Sequence, residues 1–160
     1  MWWRKLLPAA ALALAACNMT PAYGPGGTGT ALQGRVAVIE PKDVDSFALN
    51  QRLTDRLGPV EAARWKLDYR LTTAVVAQGI TPDDVTTRYS LNGTVDFALT
   101  DIATGAPVTQ GTVSSFTSYS ATGTTIATLS SERDAHERLM VMLADQIVTR
   151  LLATGPKPAP

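Results

Sequence analysis

The chain reads as an α+β two-layer sandwich, with two helices packed on one face of a mostly antiparallel, mixed four-stranded sheet. Three observations predict it. From Trp65, the residues Trp65, Leu67, Tyr69 and Leu71 alternate with Lys66, Asp68, Arg70 and Thr72, which describes a strand with one buried face. Leucines four apart at Leu49, Leu53 and Leu57 describe an amphipathic helix before that strand. Met140, Leu143, Ile147 and Leu151 describe a second one near the end of the chain. The resulting order, β-α-β-β-β-α, sets a meander between two helices whose single apolar stripes need a common sheet face.

In chain order, Arg35 to Glu40 reads as a short strand, with Val36, Val38 and Ile39 as its β-branched residues and Pro41 as its stop. Asp43 or Asp45 can cap the first helix. Gly58-Pro59 ends it, glycine in a left-handed C′ position and proline unable to continue. The Trp65 strand extends to about Gln78, and Gly79 to Asp84 carries turn chemistry. A strand from about Val85 presents Leu91, Val95, Phe97 and Leu99 on one face. Asp101 to Pro107 reads as a hairpin loop, and Val108 to about Tyr119 as a third long strand with a bulge or an exposed edge. Ala121 to Leu129 fits no element. Ser131-Glu132-Arg133-Asp134 resembles a capping box that opens the last helix, which ends near Ala153 before Gly155-Pro156. The polar sheet face bearing Lys66, Asp68 and Arg70 meets solvent or a partner.

The N-terminus is built for export. Arg4 and Lys5 precede a short apolar run from Leu6 to Ala13, well below the roughly 20 residues of a membrane span. Residues 1–16 therefore read as a signal peptide. Cys17 is the sole cysteine in 160 residues, so an intramolecular disulfide is excluded. A nucleophilic role would need a folded electropositive niche that a signal boundary does not offer. Leu14-Ala15-Ala16-Cys17 resembles the bacterial lipobox, which implies cleavage before Cys17 and an N-acyl diacylglycerol group (palmitate among its acyl chains) on that residue. The competing reading is ordinary signal cleavage a few residues later. Asn18 in place of aspartate points, by the same resemblance, to the outer membrane. Residues 17–34, with five glycines and two prolines after Asn18, read as a lipidated cysteine and flexible linker. The folded domain then spans 35–153, followed by a disordered proline-rich tail at 154–160.

Composition narrows the function. Fourteen basic residues balance fourteen acidic ones, so nucleic acid is not an expected partner. With one histidine and one cysteine, no Cys/His metal cluster can be assembled, and no cofactor is expected. His136 lies in line with the apolar stripe, one turn before Met140, where a half-buried packing role outweighs a catalytic one. No Gly-x-Ser-x-Gly elbow accompanies it. Asp83-Asp84 reads as a solvated turn, and the glycines of 24–29 make a poor phosphate loop. The chain therefore reads as a non-enzyme. Lys66, Arg70 and Arg88 are the candidate contacts for phosphates of an anionic glycolipid, through charge-assisted hydrogen bonds. The alternative for them is an ordinary solvated face interrupted by Asp68.

Together these features resemble the lipopolysaccharide-assembly lipoprotein family, LptE, in its alphaproteobacterial form. The resemblance rests on the lipobox, on Thr20-Pro21-Ala22-Tyr23-Gly24-Pro25 after it, and on the Leu49-Leu53-Leu57 helix. It also rests on the Trp65–Leu71 strand and on the closing pattern of Ala135, Arg138-Leu139 and Leu143-Ala144-Asp145-Gln146-Ile147. It implies a periplasm-facing outer-membrane lipoprotein that plugs a lipopolysaccharide-inserting β-barrel of the LptD type, assists its assembly and takes part in lipopolysaccharide transport to the outer leaflet. Its partners would be that barrel and lipopolysaccharide, with basic residues meeting lipid A phosphates. The alternative within the envelope is an auxiliary lipoprotein of an ABC-type lipid transporter, which can share the anchor, the early strand and the final helix.

Overall fold

The computed structural model describes residues 21–80 and 86–156. Cys17, Asp83-Asp84 and residues 157–160 of the tail lie outside the described residues. The elements are α1 (Thr28–Leu32), β1 (Val36–Val38), α2 (Val44–Leu57), β2 (Trp65–Ile80), β3 (Thr86–Asp101), β4 (Pro107–Ser120) and α3 (Thr125–Thr154). The strands lie in the order β1-β2-β3-β4. β1 is parallel to β2, with Val36 opposite Trp65, and the other two pairings are antiparallel. This is the α+β sandwich predicted, with one helix more.

Strand alternation sorts the sheet into two faces. Trp65, Leu67, Leu91, Val95, Phe97, Leu99, Val113 and Tyr119 point inward and are buried. Leu49, Leu53 and Leu57 of α2 close over one side, and α3 covers β3 and β4 with eight buried residues between Ala135 and Leu151. Asp45 meets His136 while Arg52 and Arg56 meet Asp145, so the two long helices run in the same direction. Tyr69 ties α2 to the sheet. Its hydroxyl donates to Asn50 Oδ1 at 2.8 Å, and Asn50 Nδ2 donates to the Ile39 carbonyl at 2.7 Å. Burial, and then the charge of Asp43, push its phenol up to about 12.

Of the two possible caps for α2, Asp43 takes the position. Its carboxylate accepts from Ser46 N at 2.8 Å, and Ser46 Oγ accepts from Asp43 N at 2.9 Å, a reciprocal capping box. The Ser46 backbone N–H, followed by its hydroxyl, holds the Asp43 carboxyl below the usual range. A depressed folded value stabilises above the unfolded value of about 3.9, and that contribution is lost as pH falls through the folded value. Asp43→Ala should therefore cost about 1 kcal/mol at neutral pH. Urea titrations should show that difference shrinking toward pH ~3; a difference that stays constant contradicts the assignment. Gly58 ends α2 with φ 80° and ψ 159°, an extended mirror-region conformation open to glycine rather than the left-handed helical one expected.

Two element boundaries depart most from the sequence reading. Residues 28–32, read as linker, form α1, and Leu32 is fully buried, so the fold begins before Arg35. A single leucine among glycines and threonines leaves no period to read. The last helix starts at Thr125 rather than Ser131, with Thr124 Oγ1 accepting from Ala127 N at 3.3 Å as its cap. The Ser131–Asp134 string is no capping box. Ser131 Oγ donates to the Ala127 carbonyl, and Asp134 pairs with Arg138 one turn on. The third long strand is indeed an edge, and it also carries a bulge: between the pairs Leu99–Thr109 and Thr100–Pro107, Val108 of β4 is the extra residue.

Candidate functional site

The outward sheet face carries the three predicted basic contacts. Lys66 and Arg70 project from β2 and Arg88 from β3, all exposed. Lys66 Nζ lies 2.8 Å from Asp68 Oδ1, an exposed pair that holds the ammonium near its own strand. Arg70 stands directly opposite Asp96, whose carboxylate accepts from Thr112 Oγ1 at 2.6 Å. Arg88 stands opposite Gly79 at the far end of the hairpin. Gly79 lies nine residue steps along β2 from Arg70, roughly 30 Å at about 3.3 Å per step. The sheet therefore brings Lys66 and Arg70 together at one end and leaves Arg88 alone at the other.

Arg88 belongs to a separate feature. With Gln78, Ser90, Asn92, Phe116 and Ser118 it lines an open depression of about 630 Å³. Phe116 is 69% exposed there, a large aromatic ring among mostly polar neighbours. Its position in β4 directly opposite Asn92 sets its ring outward. Sequence reading missed it because the β4 pattern does not alternate cleanly until its partner strand fixes the register.

A polar seam joins the helices on the other layer. Asp145 accepts from Arg52 Nε and Nη2 at 3.1 and 3.0 Å, and from Arg56 Nη1 at 2.9 Å. The Asp145 carboxylate beside Arg52 raises that guanidinium above its ordinary value. His136 Nδ1 lies 2.8 Å from Asp45 Oδ2. The histidine sits in the interior of a thirty-residue helix, beyond the reach of the helix dipole at its first turn. Its role is to bind the start of α2 across the seam. The two arginines sit four apart on one side of α2, a spacing that signals a shared partner. Their acid, 89 residues later at closest, could be assigned only in three dimensions.

Among the described residues, no group of three His, Cys, Asp or Glu side chains could hold a metal ion. No described helix is long and apolar enough to cross a membrane.

Comparison with known proteins places this architecture. The chain is similar to a candidate lipoprotein from Caulobacter crescentus, at 26% identity and a TM-score of 0.60 over 82% of this chain and 98% of that one. It shares its fold with rare lipoprotein B from Shewanella oneidensis, at 16% identity and a TM-score of 0.57 over 75% and 93% of the two chains. The minor lipoprotein of Acinetobacter baumannii is similar too, at 20% identity and 0.53 over 79% and 95%. No curated protein matches in sequence. The family model LptE, lipopolysaccharide-assembly, matches residues 35–151, from the edge of β1 to the last buried turn of α3. The chain belongs to the LptE family of lipopolysaccharide-assembly proteins.

Proposed function

We propose that the chain is a non-enzymatic outer-membrane lipoprotein, anchored through Cys17, that plugs an LptD-type β-barrel, assists its assembly and helps deliver lipopolysaccharide to the outer leaflet. The observation that carries this reading is the family match, which spans the sandwich from β1 through α3. The build agrees with the role: one compact layer pair, with a broad polar sheet face that can line a water-filled lumen. Affinity purification of the chain from detergent-solubilised outer membranes should recover a stoichiometric integral barrel. Recovery with an inner-membrane permease instead would sink the proposal and favour the transporter auxiliary.

In this reading Lys66, Arg70 and Arg88 meet anionic groups of lipopolysaccharide, and their geometry makes the expectation specific. Charge reversal to glutamate at Arg70 or at Arg88 should weaken lipopolysaccharide binding by about threefold to tenfold at low salt, and by less as salt rises. Lys66→Glu should act least, because Asp68 already engages that ammonium. The Arg70 and Arg88 effects should multiply, since roughly 30 Å separates them. Binding unchanged in the double reversal would remove these residues from the contact surface.

A further inference from the structure

Among the described residues, the outer edge of β2 is open along most of its length. Trp65 N donates to the Arg35 carbonyl at 3.1 Å, and the Leu67 carbonyl accepts from Ile39 N at 3.0 Å. These bonds show which residues turn their backbone groups toward the β1 side. A strand alternates in this respect, so Tyr69, Leu71, Thr73, Val75 and Ala77 aim their N–H and C=O groups at the same edge. β1 ends at Val38, and among the described residues no backbone group meets those five. Residues 72–78 are exposed on both faces.

Natural sheets protect such an edge with charge, proline, a bulge or a cover. The run Leu71-Thr72-Thr73-Ala74-Val75-Val76-Ala77 has none of them, and the first bulge comes only after Ala77. The run is also self-complementary. An antiparallel pairing of two copies about a twofold axis at Ala74 sets Leu71 against Ala77 and Thr73 against Val75. Both pairs occur twice, and each exchanges its two main-chain bonds, giving about eight hydrogen bonds. On the outward face Thr72 meets Val76, β-branched against β-branched, and Arg70 meets Gln78 rather than a like charge. β1 closes one end of the window and the Gln78–Gly79 bulge closes the other, which selects this register.

We propose that the β2 edge pairs with the β2 edge of a second copy of this chain, joining two four-stranded sheets into one of eight strands. The contact is main-chain bonding with little buried area, so the dimer is reversible. It is independent of the plug reading and describes the chain free of other proteins.

The test uses the full-length chain purified from membranes in detergent, with a cysteine placed on the twofold axis by Ala74→Cys. A non-hydrogen-bonded antiparallel pair has Cα atoms about 4.5 Å apart, within disulfide reach. Thr94→Cys, on the same face but in the middle of β3, is the control, and the unsubstituted chain accounts for Cys17. Mild oxidation should give at least about tenfold more covalent dimer for Ala74→Cys than for Thr94→Cys. Adding Thr72→Lys and Val76→Lys should abolish that dimer. Mixing this variant with its Thr72→Glu, Val76→Glu counterpart should restore it. Equal cross-linking in Ala74→Cys and Thr94→Cys, or a dimer indifferent to the charges, overturns the proposal and leaves the edge to a strand of another protein.

Discussion

Gly93→Leu should destabilise the domain by about 3 kcal/mol or more, whereas Gly93→Ala should cost a small fraction of that. Gly93 lies mid-strand in β3 on the buried face, directly beneath α3. A Cβ there would come within 2.9 Å of both Leu139 Cδ2 and Leu143 Cδ1. Those atoms are the far ends of flexible side chains, so a methyl group is accommodated by small rotations. A leucine needs three further carbons in space already filled by two fully buried leucines, and the helix must lift off the sheet. The strand forgoes a side chain at Gly93, at an entropic cost of about 0.5–1 kcal/mol, because the helix needs the room. Denaturant midpoints of the two variants measure the contrast. If the leucine variant unfolds with the alanine variant, α3 does not sit where the geometry places it.

The second large effect concerns Cys17. On the lipoprotein reading, Cys17→Ala removes every acyl chain at once, and each buried CH₂ contributes about 0.8 kcal/mol to membrane binding. The variant should lose essentially all membrane retention in fractionation of cells lacking the barrel partner. In cells containing it, a residual fraction should remain with the barrel, since a plug is held by its enclosure as well as its tether. Full retention without barrel or lipid would dismiss the anchor. Failure of the unlipidated chain to pair with any barrel would show that the tether is needed to form the complex, not only to deliver it.

The parts of the fold legible in the sequence are those where one period runs unbroken. The Trp65–Leu71 alternation and the leucines of α2 declare their buried faces because each residue on the stripe meets the same core. The first turns of α3 do not. Ile126 and Leu129 are its large apolar residues there, and both are exposed, at 82% and 56%, so the pattern that marks the rest of the helix is missing. A Ser-x-x-Asp string inside the helix then imitated a start. The choice between Asp43 and Asp45 turns on Ser46, which completes the reciprocal box three residues after Asp43, while Asp45 meets His136 from 91 residues away. The basic residues of the outward face were legible as a face. Their division between two ends was not, because only the Gly79–Arg88 pairing sets their separation. The open β2 edge is equally invisible in one dimension: it exists because β1 stops after three residues.

The order of the elements also governs how the chain assembles. β2, β3 and β4 form a meander of strands that follow one another closely in the chain, so their contacts are local and can form early. β1 and α2 precede the strand they pack on, and α3, made last, supplies eight of the twenty-one buried apolar residues among the described ones. A chain emerging N-terminus first therefore carries Leu49, Leu53 and Leu57 unsheltered until its final thirty-residue helix arrives. The long helices can close over the sheet only once most of the chain has been made.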